Sequence, residues 1–115
     1  MEIIEKIDTI CLKVNEIEKA KKWYIDKLNF KVNYDGGHYI VFQIGDSSVP
    51  LTLEQGEKKS GTTYPIFYTT HIKEAYEHLK AKGVLVEDIQ TDEVNTFFTF
   101  YDLDGNLLQL CYWQA

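Results

Sequence analysis

The stretch Phe97-Phe98-Thr99-Phe100-Tyr101-Asp102-Leu103-Asp104-Gly105-Asn106-Leu107-Leu108-Gln109-Leu110 decides how this chain folds. Its first part is aromatic and β-branched, its last part is aliphatic, and Asp-Gly-Asn separates the two. Asp104-Gly105 or Gly105-Asn106 can supply the positive φ that a hairpin turn demands. The pattern therefore predicts strands over Thr96 to Tyr101 and Leu107 to Trp113. Alternation places Leu107, Gln109, Cys111 and Trp113 on one face of the second strand. Gln109 interrupts an apolar run, and a polar side chain there invites a search for partners.

Near the other end, Val14-Asn15-Glu16-Ile17-Glu18-Lys19-Ala20-Lys21-Lys22-Trp23-Tyr24-Ile25-Asp26-Lys27-Leu28-Asn29-Phe30 reads as a helix from about Glu16 to Leu28. Asn15 followed by Glu18 resembles a capping box. Ala20, Trp23, Tyr24 and Leu28 recur at helical spacing, giving one apolar face. Asn29 tolerates the left-handed conformation that ends helices.

A shift that places Ala20 on Ala75 also places Thr9 on Tyr64, Leu12 on Phe67 and Val14 on Thr69, so the chain reads as two copies of one unit. The second helix, Ile72 to Lys82, stops at Gly83. Further strand-like runs are Tyr39 to Ile44, Val49 to Leu53 and Val84 to Val86. The polar, glycine-bearing stretch from Glu54 to Gly61 reads as the linker. Before the first helix, Ile10, Leu12 and Val14 form the helix-packing face and Thr9, Cys11 and Lys13 the other. By the same rule Tyr64, Ile66 and Tyr68 share a face.

The hairpin resembles the end of a domain in the vicinal oxygen chelate superfamily of glyoxalases, bleomycin-resistance proteins, fosfomycin-resistance enzymes and extradiol dioxygenases. Those chains commonly end Phe-x-Asp-Pro-Asp-Gly-Asn-x-x-Glu-Leu; here Leu103 replaces the Pro and Gln109 replaces the Glu. The helix segment is similar to the family's Val-x-Asp-x-x-x-Ala-x-x-Phe-Tyr-x-x-x-Leu-Gly-Phe. The resemblance implies an α+β fold of two βαβββ modules, about 1–55 and about 62–115, in one domain. They would form a concave, mostly antiparallel sheet with one helix packed outside each module. It also implies a homodimer.

Family enzymes hold a divalent ion with a His on the first strand, a His or Glu on the equivalent strand of the second module, and a Glu on the last strand. The resemblance places Thr9, Tyr64 and Gln109 at those positions. A hydroxyl, a phenol and a neutral amide are weak ligands at neutral pH, so no metal, no other cofactor and no catalytic residue is expected. His71 and Glu74 stand at i, i+3 but read as a helix start and a solvated face. Asp102-x-Asp104-Gly105 lacks the rest of a calcium loop.

A chain of 115 residues has the size of one domain. It contains no apolar run of about eighteen residues and no basic-then-apolar leader, so neither a membrane span nor a secretory signal is expected. All 12 basic residues are Lys, and the net charge is −6. That argues against nucleic acid, disfavours a phosphonate ligand and mildly favours cationic ones. Cys11 and Cys111 read as buried, reduced side chains of a cytoplasmic protein.

The resulting expectation is a metal-free protein, similar to bleomycin-resistance proteins, that sequesters an aromatic or amphipathic drug or metabolite, cationic ones included. Its ligand-binding candidates are Thr9, Cys11, Lys13, Tyr64, Tyr68, Gln109, Cys111 and Trp113. Alternatives are a metal-dependent lyase, isomerase or dioxygenase with ligands displaced to Glu54, His38 or Glu87, and an interaction module with a vestigial pocket. A cofactor-free acid/base pair of Lys13 with Tyr64 or Tyr68 is a subsidiary reading.

Overall fold

The structure is a computed structural model that describes residues 2–57, 61 and 63–114. The chain is α+β, with two helices and two mixed sheets, and divides into two compact units, Met1–Lys59 and Ser60–Ala115.

The first unit runs β1 (Ile10–Val14), α1 (Ile17–Leu28), β2 (Lys31–Asp35), β3 (Tyr39–Gln43) and β4 (Leu51–Gln55), with sheet order β1-β4-β3-β2. Only β1 and β4 pair in parallel. Helix α1 packs through Ile17, Ala20 and Tyr24 on a sheet face built from Val14, Ile40, Phe42, Leu51 and Leu53. Tyr24 stacks on Phe42 at 5.7 Å and lies 5.9 Å from Phe30. Burying each of these large side chains is worth about 2 kcal/mol, so the aromatic group anchors the unit.

The start of α1 corrects the sequence reading. The cap is Glu16, not Asn15, and the Glu16 side chain makes no capping bond. Instead the Ile17 amide donates to Gln55 Oε1 at 3.1 Å, so a side chain from β4 satisfies an orphan amide of the first turn. The helix end follows the sequence. Asn29 adopts φ 59°, and its amide and that of Phe30 bond back to the Ile25 and Tyr24 carbonyls.

The second unit runs β5 (Ile66–Tyr68), α2 (Ile72–Ala81), β6 (Leu85–Val86), β7 (Gln90–Thr91), β8 (Asn95–Tyr101) and β9 (Leu107–Trp113). Strand β5 lies parallel to β9, β9 antiparallel to β8, and β6 and β7 both pair with β8. Val86 stands opposite Phe100 and Gln90 opposite Phe97, so β6 and β7 are one edge strand carrying an extra residue, a bulge. Phe98, Phe100 and Leu108 are buried on the helix side, where Tyr76 meets Phe98 edge-on at 5.2 Å. Helix α2 closes with Gly83 at φ 81° and bonds from Gly83 N to Lys80 O and from Val84 N to Leu79 O. Leu79 and Val84 are both buried, completing a Schellman end with its apolar contact.

Three further sequence readings shift. Tyr64 precedes the buried Pro65 and lies outside β5. Glu54 and Gln55 belong to β4 rather than to the linker, because they pair with Lys13 and Val14; Lys58, Lys59 and Ser60 of that linker lie outside the described residues. Cys11 is exposed and Cys111 half-buried, because both sit on odd positions facing away from their helices.

The hairpin turn is more tightly built than an Asp-Gly turn requires. Asp102 is 6% exposed, and its carboxylate accepts the Asp104 and Asn106 amides and the Asn106 side-chain Nδ2 at 2.8–2.9 Å. Gly105 alone takes positive φ, at 79°. This network uses the Asp102 carboxylate for turn formation, which agrees with reading the segment as a hairpin rather than a calcium loop.

Candidate functional site

Strand register sorts the candidate residues onto two faces, each the side of its sheet away from its helix. In the first unit Cys11 stands opposite Thr52, Lys13 opposite Glu54, Tyr39 opposite Glu54 and Val41 opposite Thr52. These side chains share a face because cross-strand partners point the same way. Thr9 joins it from just before β1. Its hydroxyl meets the Thr52 hydroxyl at 2.8 Å and also donates to the Pro50 carbonyl at 3.1 Å. Lys13 forms an ion pair with Glu54. Tyr34 and Tyr39 lie with ring centres 5.7 Å apart, and burial together with the neighbouring Tyr34 phenol pushes the Tyr39 hydroxyl pKa up.

In the second unit Ile66 stands opposite Gln109 and Tyr68 opposite Cys111, while across β8 Phe97 faces Cys111, Thr99 faces Gln109 and Asn95 faces Trp113. The face is thus aromatic at one end and polar in the middle. Tyr68 and Trp113 have ring centres 5.2 Å apart, and the Tyr68 hydroxyl donates to the Trp113 carbonyl at 3.1 Å. Ile66 is 55% exposed, Tyr68 50% and Trp113 43%. The Gln109 side chain has no hydrogen-bond partner among the described residues, so its donors and acceptor remain available. Burial raises the Cys111 thiol pKa, which keeps it protonated and unreactive at neutral pH.

At the other end of this face the Tyr101 hydroxyl bonds to the Glu87 carboxylate, and that bond is the main reason the Tyr101 pKa is raised.

The two faces follow one plan. Cys11 with Thr52 in the first unit corresponds to Ile66 with Gln109 in the second, since both are β1-type to last-strand partners. Thr52 is therefore the counterpart of Gln109, a position the sequence reading missed because register, not motif, reveals it.

Residues 6–110 match the family model of the Glyoxalase/Bleomycin resistance protein/Dioxygenase superfamily. The chain belongs to this superfamily. Among solved structures it is similar to TnmS3, an antibiotic binding protein from Streptomyces sp. CB03234, with a TM-score of 0.87 and 21% identity over 99% of this chain and 100% of that one. It is also similar to the fosfomycin resistance protein FosX from Mesorhizobium loti, with a TM-score of 0.77 and 18% identity over 98% of this chain and 96% of that one. An integron cassette protein from the mobile metagenome of V. cholerae matches with a TM-score of 0.77 and 23% identity over 99% of both chains. These likenesses establish the shared fold.

The superfamily's divalent ion finds a poor donor set here. Thr9 is committed to Thr52 and Pro50, and Thr52, Tyr64 and Gln109 bring no charge. Glu54 is paired with Lys13, Glu87 is bonded by Tyr101, and Glu74 pairs with His71 at 3.1 Å on the exposed start of α2. Among the described residues no three His, Cys, Asp or Glu side chains gather as a metal site. No helix among those residues is long and apolar enough to cross a membrane.

Proposed function

We propose that this protein binds a small aromatic or amphipathic drug or metabolite, cationic ones included, without metal and without turning it over. The observation that carries the reading is the open face of the second unit, which carries half-exposed Tyr68 and Trp113 together with a Gln109 amide that has no hydrogen-bond partner among the described residues. Rings supply stacking area at low entropy cost, and a few polar groups fix orientation, which is how small-molecule sites are commonly made. On the opposite face of the same sheet Phe98, Phe100 and Leu108 already form the core, so the open rings are surplus to folding. A structural neighbour described as an antibiotic binding protein and another described as a resistance protein lend support.

The donor set supports the metal-free part of the reading. Thr and Tyr hydroxyls ionise far above neutral pH, and the carboxylates that could replace them hold other partners. By family likeness the working form is a homodimer, which light scattering on the purified protein would check, and two free cysteines suit a reducing, cytoplasmic setting.

The test joins elemental analysis with equilibrium binding. Protein purified without chelators should carry no stoichiometric nickel, zinc, manganese or iron. Titration with a flat cationic acridine dye should quench Trp113 and leave a Trp113→Phe variant insensitive, with Trp23 as internal reference. One metal per chain, or no dye binding at micromolar protein, would overturn the proposal.

A further inference from the structure

We propose that Glu87, held by Tyr101 at one end of the open face of the second unit, recognises a protonated amine on a ligand whose flat ring stacks on Tyr68 and Trp113. The inference rests on the small-molecule reading above and names the chemistry its ligand must carry.

Register places the carboxylate on this face. Leu85 stands opposite Tyr101, and the Glu87 amide donates to the Thr99 carbonyl at 2.8 Å, so Glu87 falls beside Thr99 on the side that carries Gln109. Just beyond it, the bulge between β6 and β7 ends regular pairing, a device that re-aims side chains at sheet edges. The Tyr101 hydroxyl binds only one of the two carboxylate oxygens, Oε2. That bond is the chief reason the Tyr101 pKa is raised, so Tyr101 acts as a donor to the carboxylate and leaves the other oxygen, Oε1, for a ligand.

The contrast between the two faces gives the charge its meaning. In the first unit Lys13 neutralises Glu54. Among the described residues no cation pairs with Glu87, although the chain has 12 Lys. On the same face Leu85 precedes Glu87 by two residues and stands opposite Tyr101, so the carboxylate has an aliphatic neighbour on its own strand and none of opposite charge among the described residues. A net charge of −6 adds a general attraction for cations.

Spacing sets the ligand's size. Glu87 lies level with Thr99 and Gln109, and Tyr68 level with Cys111; in the order β5-β9-β8-β6 that is three strand spacings across and two residues along, about 16 Å between backbones and less between the side-chain tips. The expected ligand is an extended molecule with an ammonium group roughly that far from a fused ring system, its middle crossing Thr99 and Gln109.

Two acridines separate this inference from the reading it rests on: quinacrine, with a protonated amine on a flexible tail, and plain acridine, neutral at pH 8. Fluorescence anisotropy should show quinacrine binding about tenfold tighter to the wild type, as expected for a charge-assisted hydrogen bond. Glu87→Gln, which keeps an acceptor for Tyr101, should lose about tenfold for quinacrine and nothing for acridine. Glu87→Ala should give the same loss and serves should the first variant fold poorly. Glu77→Gln on exposed α2 removes the same charge and should change neither affinity. Equal loss of both dyes, no loss of quinacrine, or an equal effect of Glu77→Gln overturns the Glu87 assignment while leaving the small-molecule reading intact. Failure of the wild type to bind either dye overturns both.

Discussion

The hydroxyls of Thr9 and Thr52 meet at 2.8 Å across the parallel pairing of β1 and β4. The family resemblance aligns Thr9 with a metal-binding position of the first strand, and register makes Thr52 the counterpart of Gln109. In this chain the two hydroxyls bond to each other. Both hydroxyls thus already hold a partner within the first unit.

That relationship predicts coupled stabilities. Thr9→Val and Thr52→Val should each cost about 1 kcal/mol, because each leaves a part-buried hydroxyl without its partner. The double variant should cost less than the sum of the two. Urea unfolding of the four proteins gives the coupling directly, and strict additivity would mean the bond contributes nothing.

Asp102→Ala should be among the most destabilising substitutions in the second unit, at about 3 kcal/mol. It strips acceptors from two backbone amides and the Asn106 side chain in a turn where Asp102 and Asn106 are buried. Asp104→Ala, whose half-buried side chain is not the centre of that network, should cost far less. Thermal unfolding of the pair decides whether Asp102 or the Asp-Gly dipeptide organises the hairpin.

At Gly83 an added Cβ would meet nothing within 4 Å, so any penalty for Gly83→Ala comes from the φ of 81° alone. About 1 kcal/mol is expected. Asn29→Gly, at a φ of 59°, should be neutral or slightly stabilising, since glycine accepts that conformation more easily than asparagine. A large loss at either site would point to side-chain contacts instead.

Acid should expose the pair formed by Lys21 and Asp35 at 3.0 Å. The Gly37 amide, then Lys21, hold the Asp35 carboxyl below its ordinary 3.8. A depressed carboxyl stabilises the fold above the unfolded value, and that contribution disappears as pH falls from 3.8 through the lower folded value. Lys21 has the opposite sense. Asp35 raises it above 10.5, so its contribution holds below 10.5 and fades as pH rises through the higher folded value. Asp35→Asn should lower stability slightly at neutral pH, where both contributions are present, and leave the acid and alkaline extremes unchanged, so the profile flattens, as unfolding midpoints across pH would show.

On the open face of the second unit, Tyr68→Leu should weaken binding of an acridine dye about tenfold while changing stability little, since Tyr68 is half exposed. Binding isotherms set beside thermal midpoints test this; loss of both together would make Tyr68 a packing residue only.

Much of the fold was legible in the chain. Both helices carry their periodicity and stop residues, and the strands of the hairpin, β8 and β9, carry aromatic or aliphatic runs about a turn. Two edge strands were missed. In β2, Lys-Val-Asn-Tyr-Asp is exposed at every position and bulged at Asn33, and β7 is the exposed pair Gln90 and Thr91. Such strands are stabilised by pairing with a neighbour rather than by burying one face, so no alternation marks them. On the candidate faces, alternation correctly grouped Ile66 with Tyr68 and Gln109 with Cys111 and Trp113. Tyr64 was placed in a strand it precedes, and Lys13 was read without Glu54, its partner 41 positions away.

By itself, the sequence determined where both helices stop, the hairpin and which residues share a face, because φ preference and strand alternation act over a few residues. Only the tertiary structure decided that Thr9 bonds Thr52, that Gln55 caps α1, that Lys13 silences Glu54 and that Tyr101 holds Glu87. Each of these contacts joins different elements, and the register or helix packing that creates it depends on the burial free energy of a whole unit rather than on any local pattern.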